Sequence, residues 1–239
     1  MAKLIKNKIK FYLSNSKISP FLDRRADTIL KWVNKWKRIN YFNNEISNGE
    51  DVSPQPEMKD YHINRYKLYQ FVYREENLEN RIIDYLEFGV YKGDSLKWWV
   101  NNVKNPKSRF FAFDTFQGLP EDWGTKEKGY FSTKGNLPSI SDQRCHYEVG
   151  LFQETLYKFL EKYTLDRKMI VHLDADLYSS TLFLLTSLSS KLKKGDILIF
   201  DEFYGEEFQA FCDFKLAYYF SYKILGFVNM GTQIAIKVT

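Results

Sequence analysis

Five short strand candidates, IIDYLEF (82–88), RFFAFD (109–114), HYEVG (146–150), MIVHLDAD (169–176) and DILIFDE (196–202), alternate with stretches of helical character. Strands joined through helices run parallel, and the helices cover both faces of the sheet. Helices are expected over 94–102, where Leu96, Trp99 and Val100 are apolar, after the 146–150 strand through Glu161, and over 180–193, with Gly195 as the stop residue. Another is expected from His62 to Asn77. The tail YKILGFVNMGTQIAIKVT reads as two strands about Asn229-Met230-Gly231, which suits an antiparallel edge. The expected class is α/β, with a mainly parallel sheet and an antiparallel C-terminal strand. At 239 residues the chain can hold one complete domain of this kind with additions. An aromatic fraction of 18% supplies enough apolar surface to exclude global disorder.

The additions are N-terminal. Ile5, Ile9, Tyr12 and Leu13, then Leu22, Ala26, Ile29, Leu30, Val33 and Trp36, follow a helical period broken at Ser19-Pro20. Residues 1–40 carry +9 of the formal +5 total, so the remainder is acidic at −4. The basic character belongs to this extension, which argues against nucleic acid as the partner of the whole chain. Two readings stand for the extension: a cap on the domain or on a second subunit of a homodimer, which is favoured, and a peripheral contact with a membrane surface or an anionic glycolipid. Residues 43–60 read as a linker or mobile loop, giving an extension over 1–60 and a main domain over 61–239. There is no apolar run of about 18 residues, and lysines interrupt any signal-peptide core. Cys145 and Cys212 stand far apart, as buried inert thiols of a reducing compartment would. The expectation is a cytoplasmic protein, at the inner membrane surface if the extension binds there.

The segment EFGVYKGDS (87–95) leaves a strand at Phe88, turns at Gly89 and enters a helix near Gly93-Asp94. Open parallel sheets bind ligands beyond the carboxyl ends of their strands, so Glu87, Gly89, Val90, Gly93 and Ser95 are the candidate cofactor residues. The spacing is G-x-x-x-G, not the G-x-G-x-x-G that presents N–H groups to a pyrophosphate. S-adenosylmethionine carries an ammonium and a sulfonium but no phosphate, and the acidic Glu87 suits it better. Asp114 ends the next strand, where a carboxylate can accept both ribose hydroxyls. The plainer alternatives are a structural glycine turn and a capping or loop acid.

VHLDADLYSST and ILIFDEFYG end the fourth and fifth strands. Asp174 and Asp201 are 27 residues apart, close to one β-α-β unit, which brings Asp174, Asp176, Asp201 and Glu202 to one rim. Four acids there repel one another unless a cation joins them, and carboxylates suit Mg²⁺ or a similar hard divalent ion. The alternative is solvated strand-end acids, with Asp176 or Ser179 capping the next helix. A metal-bound alcohol loses its proton more readily, as metal-bound water does. His172 reads as a core residue or one just behind the site, while His62 and His146 have no local support as bases. Trp98, Trp99, Trp123 and Tyr130 are candidates to stack on a sugar, and 117–142 reads as a lid.

In order, YLEFGVYKGDSL, FDTFQGLPEDW, EVGLFQETL, VHLDADLYSST and ILIFDEFYG resemble the successive motifs of the macrocin O-methyltransferase family, over roughly residues 60–239. FDTFQGLPE and LDADLYSST are the specific parts. The resemblance implies a Rossmann-like class I methyltransferase fold, S-adenosylmethionine and Mg²⁺ as cofactors, and methylation of a hydroxyl on a sugar, glycan or natural-product glycoside. By position it implies that Glu87, Gly89 and Gly93 line the cofactor, Asp114 binds its ribose, and Asp174, Asp201 and Glu202 hold the metal. The layout is also similar to that of catechol O-methyltransferases, whose lysine three residues beyond the first metal aspartate is replaced here by Leu177. Asp174 or Asp176 is then the candidate base. The family often has Asp-Asp where this chain has Asp201-Glu202. Two other functions compete: a non-catalytic assembly module of a glycan-synthesis complex, tethered by residues 1–40, and a nicotinamide-dependent enzyme, which the glycine spacing opposes.

Overall fold

The computed structural model describes residues 33–53 and 61–239. The chain divides into two compact units, Met1–Tyr41 and Phe42–Thr239. In the first, residues 33–41 are helical; the rest of the expected basic helices lies outside the described residues. The second unit holds β1 (Glu50–Asp51), α1 (Tyr61–Glu75), β2 (Ile83–Phe88), α2 (Asp94–Asn102), β3 (Arg109–Asp114), β4 (Cys145–Val149), α3 (Phe152–Lys162), β5 (Lys168–Leu173), α4 (Tyr178–Leu188), β6 (Ile197–Phe200), α5 (Glu206–Tyr218), β7 (Tyr222–Val228) and β8 (Gln233–Val238).

These strands form one sheet in the order β1-β7-β8-β6-β5-β2-β3-β4. Neighbours from β6 to β4 pair parallel, and β8 is antiparallel to both β6 and β7. The chain winds outward from β2 through β3 to β4, then returns to place β5 on the other side of β2. That reversal opens a crevice at the carboxyl ends of β2 and β5, the position where such sheets bind ligands. All six residues of β2 are buried, as a strand covered on both faces requires. The core around it is aromatic, with Tyr69, Tyr85, Trp99, Phe110 and Phe116 buried together.

The terminal strands form the expected antiparallel pair on one side of the sheet, with β8 between β6 and β7. The structure departs from expectation in three places, at β1, α4 and α5. The edge position falls to β1, inside the stretch read as a linker, which pairs parallel with β7 through Glu50 and Asp51. Helix α4 stops at Leu188 rather than continuing to 193. The Thr186 hydroxyl donates to the Leu182 carbonyl (2.8 Å) and that of Ser189 to the Thr186 carbonyl (2.7 Å), and such side-chain bonds compete with helix continuation. Helix α5 was not among the expected elements; Glu206 and Glu207 occupy its first turn, where carboxylates favour a helix start.

Charge is arranged oppositely at the two ends of the sheet. At the amino end Asp84 takes a two-bond fork from Arg109 (Nε–Oδ1 and Nη2–Oδ2, both 2.7 Å), Glu76 is paired with Lys168 (2.9 Å) and Lys237 (2.8 Å), and Asp196 accepts the Met169 and Lys193 N–H groups (2.8 Å each). At the carboxyl end the acids outnumber their cations.

Candidate active site

The carboxyl ends of β2, β3, β5 and β6 open into a cavity of about 580 Å³, a size typical of small-molecule sites. The turn after β2 supplies Gly89, Val90 and Tyr91 to its wall, and β5 and β6 supply Asp174, Asp176, Asp201 and Glu202. Gly89 has φ +88°, and a Cβ on it would lie 1.9 Å from the Asp174 carbonyl oxygen. Glycine is therefore required where the two loops cross, and the close approach is first of all between β2 and β5. Gly93, at φ +79°, starts α2 behind the wall.

Asp114 lines the cavity and at the same time braces the turn. Its Oδ2 accepts the N–H groups of Val90 and Tyr91 (2.8 Å each), and its Oδ1 accepts that of Phe116 (2.8 Å). Three of the four lone-pair sites of the carboxylate are thus used, and one, on Oδ1, is left for a hydroxyl donor. Glu87 does not line the cavity. It is 1% exposed, it accepts the Tyr85 hydroxyl at 2.6 Å, and burial pushes its carboxyl up to about 8. Ser95, also behind the wall, begins a buried chain of polar contacts that ends at Glu87. It runs from Ser95 to the Tyr69 hydroxyl (3.1 Å), on to His172 Nε2 (3.3 Å), then from Nδ1 to the Tyr85 hydroxyl (2.9 Å).

The acids converge as the strand spacing implies. Asp201 is buried and Asp174 is one-quarter exposed, and the Arg65 guanidinium of α1 bridges them, Nη2 to Asp201 Oδ2 at 2.9 Å and Nη1 to Asp174 Oδ2 at 3.6 Å. Burial and mutual repulsion raise Asp174, while burial, opposed by Arg65, raises Asp201. Asp176 sits in the left-handed region at φ +59° and is raised by burial, then by Asp174 and Glu202, with Lys126 opposing. Neither Asp176 nor Ser179 caps α4: its N-cap is Leu177, with no side-chain bond, and the Ser179 hydroxyl donates to Glu121 (2.7 Å). Glu207 of α5 is fully buried and ties the two acid loops together. Its Oε1 accepts the Ala175 N–H (3.2 Å) and its Oε2 the Glu202 N–H (3.0 Å).

A divalent cation suits this donor set. Asp201 Oδ1 and Glu202 Oε2 are buried with no hydrogen-bond partner, a costly state unless a cation completes it. His172, Asp174 and Asp201 also offer ligand atoms within 4.8 Å of one another. Both His172 ring nitrogens are already engaged by tyrosines, so Glu202 is the better third ligand.

The segment 115–144 contributes Gly118, Leu119, Pro120, Lys126, Tyr130 and Phe131 to the cavity. The Lys126 ammonium lies 4.2 Å from the centre of the Trp123 ring and 4.3 Å from that of Phe131. Of the aromatic residues expected to stack on a sugar, Tyr130 lines the cavity, whereas Trp99 is core and Trp98 packs against it. Both cysteines are half-buried, and burial raises the Cys145 thiol to about 12, which leaves it unreactive.

Residues 86–203 match a family model described as a methyltransferase domain. The fold is shared with solved methyltransferase structures. A structure of CalS11, a calicheamicin methyltransferase, matches with TM-score 0.54 and 20% identity, covering 85% of this chain and 91% of that one. An apo structure of the same protein, described as a TDP-rhamnose 3'-O-methyltransferase, matches with TM-score 0.50 and 18% identity over 85% and 92%. The O-methyltransferase NovP matches with TM-score 0.51 and 17% identity over 76% and 80%. Comparison with curated protein sequences gives no match. Among the described residues no helix is long and apolar enough to cross a membrane.

Arg65, Lys126 and Glu207 are the site residues that the sequence does not single out. Arg65 lies 109 positions before Asp174 in a helix with no motif, so only the fold reveals it.

Proposed function

We propose that this enzyme transfers the methyl group of S-adenosylmethionine to a hydroxyl of a sugar or of a glycoside, with a divalent cation such as Mg²⁺ at Asp174, Asp201 and Glu202. The observation that carries this reading is the set of buried, unpartnered carboxylate oxygens of Asp201 and Glu202 beside the Gly89 turn, on one cavity. The names of the similar structures, CalS11 and NovP, favour an oxygen acceptor and, for CalS11, a nucleotide-linked sugar.

Asp114 lines the cavity, keeps one Oδ1 lone pair, and would orient the cofactor ribose through one hydroxyl while bracing the Gly89 turn. When bound, the cation would lower the pKa of the acceptor hydroxyl. Asp176 lines the same cavity and is the candidate to take the hydroxyl proton. Tyr130, on the segment after β3, presents an aromatic face to the acceptor. Glu207 fixes the backbone that carries Asp174, Asp176 and Glu202, and positioning of this kind supplies much of the rate in a two-reactant transfer. For residues 1–40 the proposal is a contact with a second subunit or an anionic surface, tested by truncation and mass measurement in solution.

The test is transfer of a labelled methyl group from S-adenosylmethionine to a panel of nucleotide-sugars and glycosides. Labelling that depends on Mg²⁺ and is lost in Asp201→Ala is the expected result. Labelling indifferent to both would remove the metal from the mechanism.

A further inference from the structure

Arg65 occupies the place a bridging cation would take. Its two terminal nitrogens reach one oxygen of Asp201 and one of Asp174, at 2.9 and 3.6 Å. A divalent ion binds carboxylate oxygen at about 2.1 Å. An ion on Asp201 Oδ1, the oxygen that Arg65 leaves unpartnered, would share one carboxylate with the guanidinium, and the two like charges oppose each other there.

The manner in which Arg65 is held points the same way. A structural arginine pair in this protein looks like Arg109 on Asp84, two parallel bonds of 2.7 Å. Arg65 makes no such fork, and its Nε is buried with no partner. The remaining contact of Nη2, with His62 Nδ1, is long at 3.4 Å. Arg65 thus neutralises the acids without using the geometry that makes arginine pairs strong. Nearby charge explains why it is kept. Asp174, Asp176, Asp201, Glu202 and Glu207 converge here, and Lys126 acts on two of them, Asp176 and Glu202.

We propose that Arg65 is a built-in counter-ion of the acid cluster, which a divalent metal displaces on binding, so that α1 is released from the Asp174–Asp201 pair when the metal is loaded. This rests on the metal-bearing reading of the site given above. Apparent metal affinity is then lowered by the fraction of molecules in which Arg65 holds the pair.

Calorimetric titration of the full chain with Mg²⁺, without substrate or cofactor, tests this. Arg65→Gln should bind Mg²⁺ at least tenfold more tightly than the unaltered protein, and Arg65→Lys, which restores a cation, should return toward it. Equal or weaker binding by Arg65→Gln, or no Mg²⁺ binding by either protein, would overturn the proposal. A second measurement needs no variant. Phenylglyoxal labelling of Arg65, read by peptide mass spectrometry, should speed up severalfold as Mg²⁺ saturates, while the forked Arg109 stays unchanged. Labelling of Arg65 that is constant or slower would equally refute displacement. S-adenosylhomocysteine binding, measured on the same samples, separates the two claims. If it persists while Arg65→Gln matches the unaltered protein, only the Arg65 proposal fails. If it is absent while Mg²⁺ displaces Arg65, the methyl-transfer reading fails.

Discussion

Gly89→Ala probes the point where fold and site meet. The added Cβ would lie 1.9 Å from the Asp174 carbonyl oxygen, and real contacts of this kind start near 3.0 Å, so the two loops must separate by about 1 Å. The backbone at φ +88° adds the left-handed penalty for a side chain, about 1–2 kcal/mol. Forcing an atom into a packed interior adds about 1–3 kcal/mol. Together these predict about 2–5 kcal/mol of destabilisation, or roughly 4–20 °C in Tm at 2–4 °C per kcal/mol for a chain this size. The functional loss should be larger than the lost stability explains, because a 1 Å misplacement costs about 100-fold in a positioned reaction. Thermal unfolding monitored by calorimetry, with methyl transfer assayed well below the new midpoint, separates the two effects. A Gly89→Ala protein with unchanged Tm and turnover would refute the claim that this crossing positions Asp174.

Other outcomes follow from the acids. Glu207→Ala strands the Ala175 and Glu202 N–H groups; it should cost about 1–3 kcal/mol in denaturant unfolding and weaken Mg²⁺ binding measurably. Glu87 favours its neutral form in the fold, with its carboxyl raised from 4.5 to about 8. The stability this confers is full below about pH 4.5 and is lost as pH rises through about 8, a change of at most about 5 kcal/mol. Glu87→Gln should remove that slope in metal-free urea unfolding. An equal gap between the two proteins at pH 5 and pH 8.5 would argue against it. Asp201→Ala should abolish Mg²⁺-dependent methyl transfer while leaving S-adenosylhomocysteine binding within a few-fold, read by calorimetry.

The strands that carry the site were legible because local pattern decides them. β2, β3 and β5 are short apolar runs whose ends carry Glu87, Asp114 and Asp174, and the observed bounds lie within two residues of expectation except where MIVHLDAD ends early, at Leu173. What could not be read depends on distant contacts. The burial of β8 between β6 and β7 follows from sheet order, not from its own sequence. Glu87 reads as a cavity carboxylate until Tyr85 and His172 are seen to hold it behind the wall. Asp114 has both suggested characters, since it braces the turn through three N–H bonds and still lines the cavity. The match of Asp174 with Arg65 needs α1 packed over the sheet, and a periodic helix with no motif gives no sign of it.

The central claim is that this cavity binds the methyl donor beside a divalent cation. Calorimetric titration with S-adenosylhomocysteine, with and without Mg²⁺, tests it most directly. Micromolar binding, abolished by Gly89→Ala and retained without the metal, is the predicted result. Absence of binding in both conditions would contradict the account.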